Sequence, residues 1–270
     1  MGYLFAVIFG LIVGSFLNVC IYRIPRGKSI VFPERSYCPS CEHTLGVFDN
    51  IPVFSYIFLR GKCRYCKAKI SPRYIIVELL TSGLFVLMLY RSLAMYQDTR
   101  YIVIELLMSC IFVAILIAIS FIDLEFTIIP NKIVYPGIVI GLLLSVFASI
   151  IRKDYSFIAW RAAGATTGAI VILLIALIGR VVFRKEAMGV GDIKLMAMIG
   201  MYLGLFPYIP LVIMIAAFLG SIVGLALIVV RRKKMSSAIP FGPFLSLGAL
   251  LSLLYGKEIW LWYINLMGLK

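Results

Sequence analysis

Two aspartates, Asp123 and Asp192, stand where a carboxylate is expensive. Asp123 closes the apolar run Tyr101 to Ile122, and Asp192 follows Gly189-Val190-Gly191 at the head of another apolar segment. An ionisable group at membrane depth costs several kcal/mol, roughly 3 on insertion scales, so its default reading is functional. Two carboxylates that converge in a low-dielectric site cannot both ionise easily, so one keeps a proton at neutral pH while the other accepts one. Such a pair can activate water against an amide bond: the ionised member takes a water proton and the protonated member polarises the carbonyl. It titrates as a unit. Gly189 and Gly191 fit this chemistry, because residues without a Cβ let the backbone turn sharply and let a substrate strand approach the acid. Plainer readings stand beside it. Gly-Val-Gly can simply end a loop with Asp192 as a helix N-cap, and Asp123 can be half of a structural ion pair with Lys132 or Lys194.

A second constellation is Cys38-Pro39-Ser40-Cys41 with Cys63-Arg64-Tyr65-Cys66, two CxxC pairs separated by 21 residues. Each pair offers two thiolates to one edge of a tetrahedron, and the spacer folds back to supply the other edge, so the pattern predicts a structural zinc site on Cys38, Cys41, Cys63 and Cys66. Four thiolates leave no open coordination position, so the metal braces the loop rather than doing chemistry. A loop this size buries little core, and metal supplies the missing folding energy. A reducing cytoplasm argues for metal over disulfides or a redox role. His43 reads as a polar surface residue near the knuckle, and Cys20 and Cys110, inside apolar runs, as small hydrophobes in helix packing.

The elements that must position these residues are set by composition. With 270 residues, 63% of them hydrophobic, a mean hydropathy of +1.06 and only 14% charged, the chain is an integral membrane protein rather than a water-soluble globule. Eight apolar stretches approach the roughly 20 residues that cross a bilayer: Tyr3 to Tyr22, Tyr74 to Tyr90, Tyr101 to Ile122, Ile133 to Ile151, Trp160 to Phe183, Ile193 to Phe206, Tyr208 to Val230 and Phe241 to Tyr255. The sixth and eighth are short. The closing stretch Ile259 to Leu269, with Trp260, Trp262 and Tyr263, either finishes the eighth helix or forms an interfacial aromatic belt. The expected fold is therefore an all-α polytopic membrane protein of about eight transmembrane helices, with a small zinc-binding cytoplasmic loop between helices 1 and 2.

The first stretch lacks a basic n-region and is read as a retained helix. Basic residues place the amino terminus outside and the loop from Arg23 to Arg73 in the cytoplasm. Alternation then puts Lys132, Arg180, Arg184, Lys185, Lys194 and Arg231-Arg232-Lys233-Lys234 inside as well. Arg91, Arg100, Arg152, Lys153, Arg161, Lys257 and Lys270 remain outside, with Arg152-Lys153 a mild counter-signal. On this topology the third helix ends inside at Asp123 and the sixth begins inside at Asp192, so both acids reach the same face. The net charge of +14 belongs to helix flanks and suits orientation and anionic lipid better than nucleic acid. Among the remaining acids, Glu125 reads as solvent-facing and Glu105 as too near the outer face to join the pair. Glu78, beside the cysteine loop, is the better candidate for a second function. Asn18 and Pro130-Asn131 read as packing or turn residues.

The chain resembles the prepilin peptidases, bifunctional enzymes of bacterial type IV pilus, type II secretion and competence systems. The resemblance rests on the order of Gly14-Ser15-Phe16-Leu17-Asn18-Val19 with Arg23 and Pro25, the two CxxC motifs within Cys38 to Cys66, Asn50-Ile51-Pro52 and Ser71-Pro72-Arg73-Tyr74 with Glu78. It continues through Asp123, Ile129-Pro130-Asn131, Gly189-Val190-Gly191-Asp192-Ile193-Lys194 and Pro240-Phe241-Gly242-Pro243. It implies an intramembrane-type aspartic peptidase of the GxGD class in the bacterial inner membrane, with Asp123 and Asp192 as the catalytic pair in a membrane domain over 74–270. Helix 1 would cover 1–22 and the cysteine loop 23–73. The implied substrates are prepilins and pseudopilins, cut on the cytoplasmic side between a basic leader and a hydrophobic helix. The resemblance also implies methylation of the new amino terminus with S-adenosylmethionine, an activity associated with the cysteine loop; the residues themselves carry no Rossmann fingerprint. A proton-coupled transporter using the acids as a relay would predict midplane acids and repeat symmetry. A membrane scaffold with a zinc docking loop would leave the glycine-rich aspartate without a purpose.

Overall fold

The computed structural model describes residues 1–32, 35–183, 188–230 and 239–268. Arg184, Lys185, the run Arg231-Arg232-Lys233-Lys234 and Lys270, which entered the charge-based topology, lie outside the described residues. The chain divides into two compact units, Met1–Ala118 and Ile119–Lys270, with the division inside one long helix.

The first unit is organised by α1 (Gly2–Arg23) and α3 (Arg73–Met95), joined by a loop that holds a 3-10 turn (Val47–Asp49) and the five-residue α2 (Phe54–Phe58). The two long helices run antiparallel in close contact because α1 presents small residues one turn apart. A Cβ added at Gly10 would stand 2.6 Å from the Ser82 Cα, and one at Gly14 would stand 2.7 Å from the Glu78 Cα. One turn further on, Asn18 Nδ2 donates to the Tyr74 carbonyl at 2.9 Å. This is small-residue packing, in which close backbone approach replaces the hydrophobic drive that lipid cannot supply. α4 (Thr99–Phe126) begins in this unit and carries its last turns into the second.

The second unit continues with α5 (Asn131–Arg152), α6 (Ser156–Phe183), α7 (Val190–Leu203), α8 (Tyr208–Val229) and α9 (Gly242–Leu266). Among the described residues, seven helices, α1, α3, α4, α5, α6, α8 and α9, are long and apolar enough to cross a membrane. The sixth apolar stretch of the sequence becomes α7, whose 14 residues rise about 21 Å at 1.5 Å each, short of a hydrocarbon core of about 30 Å. Past Lys194 it is apolar because protein surrounds it: Leu195, Met196, Met198 and Ile199 have no exposed surface. Gly164 and Gly200 meet backbone to backbone, which sets α6 and α7 antiparallel at close range. Arg161, buried near the start of α6, donates to the Met201 and Tyr202 carbonyls and so satisfies the carboxyl end of α7. The closing aromatic stretch continues α9 past a break at Tyr255, with Trp260 packed edge-on against Phe206 at 4.5 Å.

Candidate active site

Four chain segments of the second unit reach one end of it: the last turn of α4, the first turns of α5 and α7, and the start of α9. Asp123, 4% exposed, lies in the last turns of α4. Its Oδ2 accepts the Gly242 N–H of α9 at 2.9 Å, across 119 residues of sequence. Asp192, 7% exposed, is the third residue of α7, and its Oδ2 accepts the Gly189 N–H at 3.1 Å while its own N–H donates to the Gly189 carbonyl. Gly189, not Asp192, therefore occupies the N-cap position. Each carboxylate is thus anchored through one oxygen by a glycine N–H. Among the described residues neither Oδ1 takes a hydrogen bond.

The two anchors share a neighbour. A Cβ on Gly242 would stand 2.7 Å from Asp123 Oδ2 and 3.3 Å from Ile129 Cδ1, and one on Gly191 would stand 2.9 Å from Ile129 Cβ. Ile129 is therefore wedged between the glycine that holds Asp123 and the glycine before Asp192. The carboxylates lie within electrostatic reach of each other. Lys194 is engaged elsewhere: its Nζ donates to Asn131 Oδ1 at 3.0 Å and sits 5.2 Å from the Tyr135 ring centre. Among the described residues Asp123 has no ion-pair partner, so the structural ion pair considered from sequence does not form. Glu125 is exposed, as its position past Asp123 suggested.

In the first unit, the four predicted thiols converge. The Sγ atoms of Cys38, Cys41, Cys63 and Cys66 all lie within 4.8 Å of one another, and those of Cys38 and Cys66 are 3.8 Å apart. A tetrahedron with metal–sulfur bonds of about 2.3 Å has edges of about 3.8 Å, so the donor set and its spacing fit one zinc ion. The two knuckles repeat one backbone design. Cys38 and Cys63 each accept from the residue four positions on, Glu42 or Lys67, and donate to the carbonyl of the residue after that. Glu42 and Lys67 both adopt the left-handed region, at φ 55° and 60°. The Cys38 thiol is brought down to about 7: burial opposes ionisation, and the Ser40 and Cys41 backbone N–H groups, with the Cys63 and Cys41 thiols, outweigh it. For Cys41 the His43 backbone N–H favours the thiolate, yet burial and the Cys66 and Cys38 thiols push it up to about 11. His43 stands outside the cluster and packs its ring on Tyr65, 3.6 Å between centres.

Glu78 and Arg23 tie the loop to the helices, and Asp49 ties the loop to itself. Glu78, 7% exposed, accepts the Val53 N–H at 2.7 Å, and Val53 is held at φ 65°. Arg23, 4% exposed, donates to the carbonyls of Ser29, Ile30 and Arg35. Asp49 accepts from Arg64 Nε at 2.6 Å and from the Gly46 N–H at 3.1 Å. The sequence signals for Arg23 and Glu78 were their charges at the ends of apolar runs beside the loop; none marked the Asp49–Arg64 pair.

Comparison with known proteins follows the same division. A family model described as the bacterial peptidase A24 N-terminal domain matches residues 8–92, and one described as the type IV leader peptidase family matches residues 110–225. A protein of Aeromonas hydrophila named prepilin leader peptidase/N-methyltransferase is 33% identical over 96% of this chain and 92% of its own length. Proteins of the same name from Dichelobacter nodosus and Pseudomonas aeruginosa are 34% and 30% identical, over 96% and 98% of this chain and 93% and 94% of their own lengths. No solved structure matches. The two family models and the near full-length identity establish that the chain belongs to the type IV leader peptidase family.

Proposed function

We propose that this chain is a membrane aspartic endopeptidase that removes the basic leader from type IV prepilins or pseudopilins and then N-methylates the exposed amino terminus. Asp123 and Asp192 are the catalytic pair. The observation that carries the reading is the paired anchoring of two buried carboxylates, each fixed through Oδ2 by a glycine N–H, within electrostatic reach of each other. Fixing one oxygen of each acid aims the other at a shared substrate and removes the reorganisation that flexible carboxylates would need. In the reaction, the ionised member takes a proton from water as the water oxygen bonds the scissile carbonyl carbon. The protonated member donates to the carbonyl oxygen. Collapse of the tetrahedral intermediate breaks the C–N bond, and the proton taken from water goes to the leaving amine. Gly189 supplies the N–H that holds Asp192, and Gly191 lets Ile129 pack against the turn.

The basic flanks of the spans support an amino terminus outside the cytoplasmic membrane of a bacterium, with the acids at its cytoplasmic face. The cysteine loop over 23–73 then lies on the same side, and the membrane domain over 74–270 carries the peptidase chemistry. A hydrophobic substrate helix reaches the acids laterally through lipid while its basic leader stays at the surface. Zinc on Cys38, Cys41, Cys63 and Cys66 braces the loop. S-adenosylmethionine, when bound at the cysteine loop, would supply a sulfonium-activated methyl group to the amine that cleavage exposes. Nothing in the site or among the relatives favours an ion relay.

The test is the mass of the product from a prepilin-like peptide cut by the protein in liposomes, with and without S-adenosylmethionine. The expected result is a leaderless peptide in both cases, with one added methyl group only when the donor is present. An uncut peptide, or a methylated but uncut one, contradicts the proposal.

A further inference from the structure

The proposed methyl transfer needs a place for a ligand with an unusual mixture of groups: a carboxylate, an ammonium, ribose hydroxyls and a flat adenine ring. Among the described residues of the cysteine loop, cavities of two kinds stand out. One, of about 360 Å³, is walled by Phe48, Ile51, Phe54, Phe58 and Leu59 with Ser55 and Arg64 at its edge, and offers such a ligand almost no polar partners. The other, of about 430 Å³, is lined by Arg23, Lys28, Ser29, Phe32, Tyr37 and Glu42. Its volume falls within the range of about 300 to 1,000 Å³ usual for small-molecule sites.

We propose that this second cavity binds S-adenosylmethionine, an assignment that rests on the methyltransferase half of the proposed function. Lys28 is the anchor for the ligand carboxylate. Its Nζ is exposed at the cavity mouth, donates to the Tyr37 hydroxyl at 2.9 Å and lies 5.4 Å and 5.6 Å from the Tyr37 and Tyr22 ring centres, which orient the ammonium beside the cavity. Arg23 builds the wall instead of touching ligand, because its buried guanidinium is spent on the carbonyls of Ser29, Ile30 and Arg35. Glu42 supplies the acceptor that ribose hydroxyls or the ligand ammonium require. Phe32, 68% exposed at the edge of a polar cavity, offers an uncovered ring face, and with Tyr37 it suits adenine. A phospholipid phosphate shares the anionic chemistry at Lys28, but it has no use for a paired carboxylate and two aromatic walls.

The cavity is also coupled to the metal site. Tyr37 and Glu42 flank the first knuckle: Tyr37 pairs with Thr44, and the Glu42 N–H donates to the Cys38 carbonyl. Zinc therefore shapes two walls of the cavity without touching ligand, which connects loss of metal to loss of methylation.

The experiment is equilibrium binding of methyl-tritiated S-adenosylmethionine to the zinc-loaded full chain in neutral detergent. It compares wild type, Lys28→Ala, Lys28→Arg, Glu42→Gln and Phe32→Ala, with zinc content and peptide cleavage measured on each. The expected result is a Kd raised about tenfold or more in Lys28→Ala, consistent with loss of a charge-assisted hydrogen bond, and largely restored in Lys28→Arg. Smaller increases are expected in Glu42→Gln and Phe32→Ala, with zinc and cleavage unchanged throughout. A Kd unmoved in Lys28→Ala and Phe32→Ala overturns the assignment, and wild-type methyl transfer persisting alongside it leaves the proposed function standing. A Kd unmoved while the variants release bound anionic phospholipid makes the cavity a lipid site and equally overturns it. If wild type binds no donor and transfers no methyl group, the methyltransferase reading fails and the assignment fails with it.

Discussion

At the scale of single residues, the placement of Asp123 depends on the glycine that holds it. Gly242 brings its N–H to 2.9 Å of Asp123 Oδ2, an approach possible only because no Cβ stands between them. Gly242→Ala puts a methyl group 2.7 Å from that oxygen and forces the carboxylate aside. Misplacement of a catalytic group by about 1 Å costs on the order of 100-fold, so cleavage by Gly242→Ala is expected to fall about 10- to 100-fold. Thermal stability should change little, since alanine is the better helix former by about 1 kcal/mol and offsets part of the strain. A variant that cleaves at the wild-type rate would mean the Gly242 contact positions nothing. The acid was legible in the sequence as a carboxylate closing an apolar run, and the Gly189 turn as a glycine pair before another. Their convergence through Gly242 and Ile129 was not, because the bond to Gly242 spans 119 residues and no local pattern announces it.

At the scale of elements, helices meet wherever glycine lets backbones touch. Gly164 and Gly200 are so close that a Cβ on Gly200 would stand 2.2 Å from the Gly164 carbonyl oxygen. Gly200→Ala must therefore part α6 from α7, with an expected loss of about 1–3 kcal/mol, read as a lowered thermal midpoint in detergent. Gly83→Ala is the control: nothing lies within 4 Å of its added Cβ, so stability should hold or rise. Equal effects in the two variants would rule out close backbone packing as the cause. The long spans were legible from length and apolar composition alone. α7 was legible as an apolar stretch shorter than the others; that protein rather than lipid encloses its middle was not, because both surroundings select apolar residues. In the loop, the four cysteines were legible from spacing. The left-handed turns at Glu42, Val53 and Lys67 were not, since none of these is glycine and each is imposed by the fold around it.

At the scale of the whole molecule, the proposed function divides the work between a cysteine loop whose four thiols fit a zinc ion and a pair of buried acids. Metal binding requires thiolates, and of the metal-free cluster Cys38 titrates near 7 while Cys41 is held up near 11. Zinc binding therefore displaces protons, and affinity falls as pH falls. The expected outcome is that a chelator strips zinc far more readily at pH 6 than at pH 8, measured as metal retained by the purified protein. Zinc retention independent of pH would argue against a four-thiolate site. Cys38→Ser should act like the chelator, opening the loop to proteolysis while the spanning helices persist, and lowering methyl transfer at least as much as cleavage. Equal proteolysis of loop and helices would instead mean that the metal supports the entire fold.

The central claim is that Asp123 and Asp192 act as one catalytic unit. Groups that work together lose nearly everything when either is removed, so single and double variants should fall to the same floor. Single-turnover cleavage of a prepilin-like peptide in liposomes, by wild type, Asp123→Asn, Asp192→Asn and the double variant, tests this directly. All three variants are expected to be slower by on the order of 10³-fold or more and indistinguishable from one another, with membrane insertion unchanged. Substantial cleavage by either single variant would contradict the account.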